Sequence, residues 1–410
     1  MISFQKQKSD VDCPCALRLA RLLLIGYAVV LPFRGTASLQ SISLLTAFAV
    51  LLWNQRASFR NVAKDAWWLL WPLLMFSAWV FLVCGFWRDI VIVPWNPGYG
   101  KLTQPWFSLD QWRRDIGQPM LSLLCGYWAF RGATARRWLF AAQALLLVAL
   151  LIQCLKQFYV GELVPTETLV PDAIFKGTLF VRGFSRDNIF LSYVLLLLTP
   201  GLVLLVLERK VGWQGWLRWA LLLVLLYLIF LNKRRGTWLA LYVEFFLIAA
   251  WMGKRVWIAY FVGTLVMVAA AYQVRPHWFQ RDYDSENSGR VQIWKDVGPL
   301  LLKNPVSGIG FGKQAVEKSY WHSMYQQSHN TFVNVALEVG FPGLALWVAA
   351  LAAYASRFWK ARGGGWAVRI GFALLVAFSV RNLTDDLWMS SNAELFWFLI
   401  GVLFPNREAK

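Results

Sequence analysis

Gln273 to Asn334 is a polar stretch between long hydrophobic segments, and it contains Ser288-Gly289-Arg290-Val291-Gln292-Ile293-Trp294 and Ser328-His329-Asn330-Thr331-Phe332. A connection of roughly sixty residues is too long for a turn between two helices; loops of that length are functional or disordered. The apolar interludes Val291 to Leu302 and Val306 to Phe311 argue against disorder. The stretch therefore reads as a partly helical loop over residues 273–333 that carries the working residues. It sits within a single transmembrane domain spanning residues 1–410.

Working outward, the rest of the chain is apolar. Of its 410 residues, 58% are hydrophobic and only 15% charged, with a mean hydropathy of +0.47. That composition places the chain among polytopic membrane proteins. The N-terminus is polar and basic at Lys6 and Lys8, and the first apolar run continues past any small-residue cleavage site. It reads as a first span, not a cleaved signal. The net charge of +19 suggests nucleic acid only superficially, because Lys and Arg crowd the cytoplasmic loops of membrane proteins. The five cysteines form no metal-binding pattern: Cys13-Pro14-Cys15 precedes the first span, and Cys84, Cys125 and Cys154 sit in apolar runs. They read as small core residues.

Apolar stretches of spanning length lie near 16–33, 36–53, 66–84, 116–130, 138–158, 189–207, 216–231, 237–251, 255–272, 332–353, 366–383 and 386–404. They predict an all-α polytopic integral membrane protein with about twelve transmembrane helices. With the N-terminus inside, the cytoplasmic loops hold Arg56, Arg60 and Lys64, then Arg131, Arg136 and Arg137, then Arg209 and Lys210, then Lys254 and Arg255, then Arg357, Lys360 and Arg362. Every other loop thus obeys the positive-inside rule, which sets the orientation and an even number of spans.

The exceptions to that rule are informative. Lys233-Arg234-Arg235 falls in a short outer loop. Either an interfacial anchor or an ion pair with an acid such as Glu244 accounts for it, or it is an anion site. Arg235-Gly236-Thr237 opens the next helix, whose N-terminal amides and dipole favour a phosphate, and Gly236 lets a ligand approach the backbone. Residues 85–115, with Trp87, Trp95, Tyr99, Trp106, Phe107 and Trp112, read as an aromatic belt along the outer leaflet. Arg182 and Arg186 are also basic on the outer side. They either contact phosphate or sugar, or pair with Asp187 or Asp172.

Within the long loop, Ser288 is suited to cap a helix from about Arg290 to Leu302, closed before Pro305. An arginine in a first helical turn opposes the dipole unless an anion sits beside it. Gly308-Ile309-Gly310-Phe311-Gly312 follows Asn304-Pro305, not a strand, so it reads as a tight turn and not a phosphate cradle. Asp282, Asp284 and Glu286 lack the glycine and the terminal acid of a calcium loop, so no metal is expected. The three histidines, His277, His322 and His329, all lie in this loop. His329 stands beside Ser328, Asn330 and Thr331 at a helix start, where the charged form of an imidazole is disfavoured and the ring is left able to accept a proton. One base and several arginines on the outer side suit transfer from a diphosphate leaving group, with the arginines in place of a divalent metal. No pair of acids suited to a covalent double displacement is visible, so a single displacement is expected.

Arg234-Arg235-Gly236-Thr237, Gly289-Arg290-Val291-Gln292-Ile293-Trp294, Asn304-Pro305 with Gly308 to Gly312, and Ser328-His329-Asn330 ahead of Glu338-Val339-Gly340 form an ordered set. Over about residues 180–345 the chain resembles the superfamily of bacterial lipopolysaccharide O-antigen ligases, O-antigen polymerases and protein O-oligosaccharyltransferases. The resemblance implies a metal-independent, cofactor-free, inverting glycosyltransferase of GT-C type in the bacterial inner membrane, with its active site facing the periplasm. The implied donor is an undecaprenyl-diphosphate-linked glycan. By position Arg235 and Arg290, with Arg234 beside them, match the diphosphate-binding arginines, and His329 matches the catalytic base. Asp385 and Asp386, in Arg381-Asn382-Leu383-Thr384-Asp385-Asp386, orient the base or hold the acceptor, or else pair with Arg381 and cap the last helix. The sequence stops at Lys410, a few residues after its last span, whereas protein-glycosylating members tend to carry a soluble C-terminal region. The expectation is therefore an O-antigen ligase acting on lipid A–core, with the polymerase or protein oligosaccharyltransferase as alternative. A lipid-linked oligosaccharide transporter is the more distant one, since no internal repeat is visible and the unusual charges gather at span ends, not at the midplane.

Overall fold

The computed structural model describes residues 14–33, 35–56, 59–84, 107–160, 164–165, 179–180, 188–207, 213–232, 234–274, 290–312, 328–386, 388 and 390–405. Each of the twelve apolar stretches is a helix: α1 (Pro14–Val30), α2 (Ala37–Asn54), α3 (Phe59–Cys84), α5 (Gln118–Ala129), α6 (Ala133–Val160), α7 (Asn188–Leu207), α8 (Trp213–Asn232), α9 (Arg235–Met252), α10 (Lys254–Val274), α12 (Thr331–Lys360), α13 (Trp366–Asn382) and α14 (Ser390–Leu403). Two further helices lie between them, α4 (Phe107–Trp112) and α11 (Arg290–Lys303). Of the segment 85–115, the part from Phe107 onward is helical, and a π-helical turn at Arg113–Gly117 joins α4 to α5. Among the described residues the only strand pairing is Val164–Pro165 against Leu179–Phe180. The protein is an all-α polytopic membrane protein.

Among the described residues, six helices are long and apolar enough to cross a membrane: α2, Val62–Val83 of α3, α6, α7, α8 and α12. Several of the others are short of the roughly 20 residues a span needs. The shortest of the twelve, α5 and α14, are largely apolar and mostly buried, as helices wrapped by others must be. Gly126 faces the Phe398 carbonyl and Gly401 the Leu123 carbonyl, so neither has room for a Cβ. The two backbones meet through small residues, as in close membrane-helix crossings.

α9 and α13 run antiparallel, with Trp251 against Phe372 (ring centroids 5.6 Å apart) at one end and Thr237 against Arg381 at the other. α12 lies antiparallel to α3. The Trp79 indole donates to the Val339 carbonyl (2.9 Å) near one end, and the Tyr354 hydroxyl donates to the Leu69 carbonyl (2.7 Å) nearer the other.

α12 is broken at Gly340 (φ 75°, ψ 176°), two residues before Pro342. A break inside a membrane frees backbone groups that must find partners. Here the Ile309 and Gly310 amides donate to the Leu337 (2.8 Å) and Glu338 (3.1 Å) carbonyls, and the Phe341 amide donates to the Pro305 carbonyl (2.7 Å). A Cβ at position 340 would collide with the Val306 carbonyl. The glycine-rich run Gly308 to Gly312 is therefore a turn, and its Ile309 and Gly310 amides are spent on the break in α12.

Candidate active site

The segment that begins α12 is laced to the segment that ends α13. Asn330 is the N-cap of α12: its backbone is extended and its Oδ1 accepts from the Phe332 (2.9 Å) and Val333 (3.2 Å) amides, the job that capping asparagines do. The same side chain donates through Nδ2 to the Leu383 carbonyl (3.2 Å). Thr331 Oγ1 lies within hydrogen-bond distance of Asn382 Oδ1 (2.8 Å) and Asp386 Oδ1 (2.9 Å), and Asn334 Nδ2 donates to the other oxygen of Asp386. Ser328 is fully buried, with its amide donating to Asn334 Oδ1 (3.1 Å). Asn330 does the capping, and His329 stands just outside the helix.

That placement sets His329. It is the one non-glycine residue with positive φ (54°) among the described residues, a conformation that L-residues adopt only when their surroundings over-determine it. The ring is one-fifth exposed, and Nδ1 lies 3.0 Å from Asp385 Oδ1. With Nδ1–H donating to the carboxylate, the neutral ring presents Nε2 as its proton-accepting nitrogen. The second carboxylate oxygen of Asp385 accepts from Arg381 Nη2 (3.3 Å), and both of those side chains are buried. Asp385 thus contacts both the His329 ring and the Arg381 guanidinium.

Arg381 carries the chain of contacts on to α9. Its Nε donates to Thr237 Oγ1 (3.3 Å), in the first turn of α9, and Nη1 donates to Thr384 Oγ1 (3.0 Å). A Cβ on Gly236 would collide with Thr384 Oγ1 and lie 2.9 Å from Arg381 Nη1. Gly236 is therefore required for the close approach of the protein's own side chains, where the sequence had pointed to a ligand. Arg235 opens α9 and is exposed, while Arg234 precedes it in extended conformation and is half-buried. Glu244, offered as a partner for these cations, is fully buried about 14 Å further along α9 at 1.5 Å per residue. Neither of its carboxylate oxygens has a hydrogen-bond partner among the described residues, so it does not pair with Arg234 or Arg235.

Arg290 opens α11, as its sequence suggested. One turn later the Trp294 indole donates to the Ser328 carbonyl (2.8 Å), and Ile293 and Val297 pack on Leu337. The starts of α9, α11 and α12 and the end of α13 thus gather at one end of the bundle. Positions 235, 290 and 329 lie on the elements brought together there. Arg182, Arg186, Lys233, His277, His322, Ser288 and the acids Asp282, Asp284 and Glu286 lie outside the described residues. No cluster of metal-ligating side chains occurs among the described residues. Sequence reasoning had named Arg381 only as a counter-ion. Its spacing of four from Asp385 at a helix end was visible, but its contacts with α7 and α9 were not.

The fold and this site define a polytopic helical membrane protein with a hydrogen-bonded arginine–carboxylate–imidazole chain at one end of its bundle. Residues 220–348, from within α8 to the middle of α12, match the model of the O-antigen ligase family. No curated protein matches the chain. The domain carries an O-antigen ligase or polymerase type of function, that of a glycosyltransferase-like enzyme. It contains Arg234, Arg235, Arg290 and His329; Arg381, Asp385 and Asp386 lie beyond it.

Proposed function

We propose that the protein is an O-antigen ligase of the bacterial inner membrane, a multi-pass glycosyltransferase of GT-C architecture whose site faces the periplasm. The 273–333 loop supplies part of that site. The donor is a glycan on undecaprenyl diphosphate and the acceptor a sugar hydroxyl of lipid A–core, both delivered within membrane lipid.

The observation that carries this reading is the hydrogen-bonded path His329–Asp385–Arg381–Thr237. It brings the His329 ring and the arginine-bearing start of α9 to one end of the bundle, inside and beside the matched domain. In the proposed step the acceptor oxygen attacks the anomeric carbon as the bond from that carbon to the diphosphate oxygen breaks. The hydroxyl proton passes to His329 Nε2, and undecaprenyl diphosphate leaves with the bonding electron pair. Arg235 and Arg290, with Arg234, neutralise the charge that develops on the leaving group, helped by the α9 N-terminus. One displacement inverts the anomeric centre.

The test is transfer by purified protein in lipid from an undecaprenyl-diphosphate glycan to lipid A–core in the presence of EDTA. Ligation that proceeds unchanged is expected, with loss on Arg235→Ala or Arg290→Ala. A strict divalent-metal requirement would sink the arginine mechanism. Growth of the glycan on its lipid carrier without lipid A–core would make the protein a polymerase.

A further inference from the structure

Arg381 is almost wholly buried, yet it makes four side-chain hydrogen bonds from one guanidinium. They go to Thr237 on α9, Thr384 and Asp385 on its own segment, and Ser192 Oγ on α7 (3.1 Å). Its flat face lies over the Tyr193 ring, 4.6 Å from the centroid. A buried cation needs one anion for charge balance. The additional bonds from α7 and α9 fix the plane and direction of the fork, which only a guanidinium can satisfy together. Its position does not favour α9, because a cation at a helix N-terminus opposes the dipole. What the arrangement does fix is Asp385, and through Asp385 the ring of His329.

We infer that Arg381 is a positioning residue of the transfer reaction, aligning the His329 imidazole through Asp385 and tying it to the first turn of the helix that opens with Arg235. This rests on the ligase reading above and names a residue that lies outside the matched family domain.

The experiment compares steady-state transfer by the full-length protein in lipid for wild type, Arg381→Lys, Arg381→Met, Asp385→Asn and the double variant Arg381→Met/Asp385→Asn. Arg381→Lys is expected to lower kcat at least about tenfold, a part of the ~10²–10⁴ that a positioned general base supplies. The KM for the lipid-linked donor should stay within about threefold, because substrate contacts are intact. The double variant should be no slower than Asp385→Asn alone, because Arg381 acts through that carboxylate. Additive losses, an unchanged kcat in Arg381→Lys, or an effect on KM alone would overturn the inference.

Should Arg381→Met fail to fold, Ser192→Ala and Thr237→Val keep the cation and release its fork. They are expected to lower kcat at constant KM, and wild-type kcat in both would equally overturn the inference. Wild-type protein that transfers no glycan would overturn the ligase reading itself, which separates the two failures.

Discussion

His329 and Asp385 are 56 residues apart in sequence, yet Nδ1 of one lies 3.0 Å from a carboxylate oxygen of the other. The contact is held on both sides. Asn330 caps α12 and reaches the Leu383 carbonyl, so the backbone beside the histidine cannot drift from the segment that carries the aspartate. Arg381 holds the far oxygen of Asp385. The imidazole is thus directed by a carboxylate that is itself directed, the arrangement by which a base keeps one tautomer and one orientation.

Asp385→Asn keeps the size of the side chain and loses its charge. Arg381 keeps a hydrogen-bond acceptor, but the ring loses its anionic one. Transfer is expected to fall about 10²-fold or more with the fold intact. Initial rates at saturating donor, with melting in detergent as the control for folding, check this. A wild-type rate would mean that the ring is oriented without the carboxylate.

Position 329 separates stability from activity. His329→Ala and His329→Gly both remove the imidazole, and both should lack transfer. Only glycine accepts φ 54° without strain, so His329→Gly should be the more stable of the two by about 1 kcal/mol. Thermal unfolding of the two variants side by side measures the difference.

Asn330 has two separable tasks. Asn330→Ala loses the cap, about 1 kcal/mol, as well as the bond to Leu383. Asn330→Asp retains an oxygen for the Phe332 and Val333 amides and loses only the donor to Leu383. Melting temperatures should fall in the order wild type, Asn330→Asp, Asn330→Ala, and transfer rates should follow the same order.

The helices were legible in the sequence because long apolar runs have few other ways to fold in a membrane. Each of the twelve stretches is a helix, most of them close to their expected bounds, while α3 starts and α12 ends about two turns beyond theirs, and α11 begins at Arg290, where Ser288 pointed. The turn Gly308 to Gly312 was legible too, since it follows Asn304-Pro305. Pairings across the fold were not. Nothing in Arg381-Asn382-Leu383-Thr384-Asp385-Asp386 distinguishes a self-contained helix end from one whose arginine reaches Ser192, 189 residues away. Gly236 was read for a ligand because only the structure places Thr384 and Arg381 against it. The break in α12 was missed because glycine and proline are common in unbroken membrane helices. What gives it away is the set of amides from the 304–312 turn that satisfy its freed carbonyls.

Gly340→Ala tests that break. A side chain there meets the Val306 carbonyl and also forces alanine to φ 75°. The expected loss exceeds about 2 kcal/mol. Displacing the turn also shifts α11, so transfer should fall although Gly340 touches no reacting group. A melting temperature within a degree of wild type would show that the turn and α12 are not coupled in this way.

The central claim is ligation with His329 as base, and the direct measurement is a lipopolysaccharide gel. The bacterium that carries this gene is compared with a deletion strain and with the deletion strain complemented by wild type or by His329→Ala. The account predicts that the deletion and the His329→Ala strain both lack every O-antigen band while polymer accumulates on undecaprenyl diphosphate, and that wild type restores the ladder. A normal ladder from His329→Ala would contradict the base assignment, and a normal ladder in the deletion strain would contradict the ligase itself.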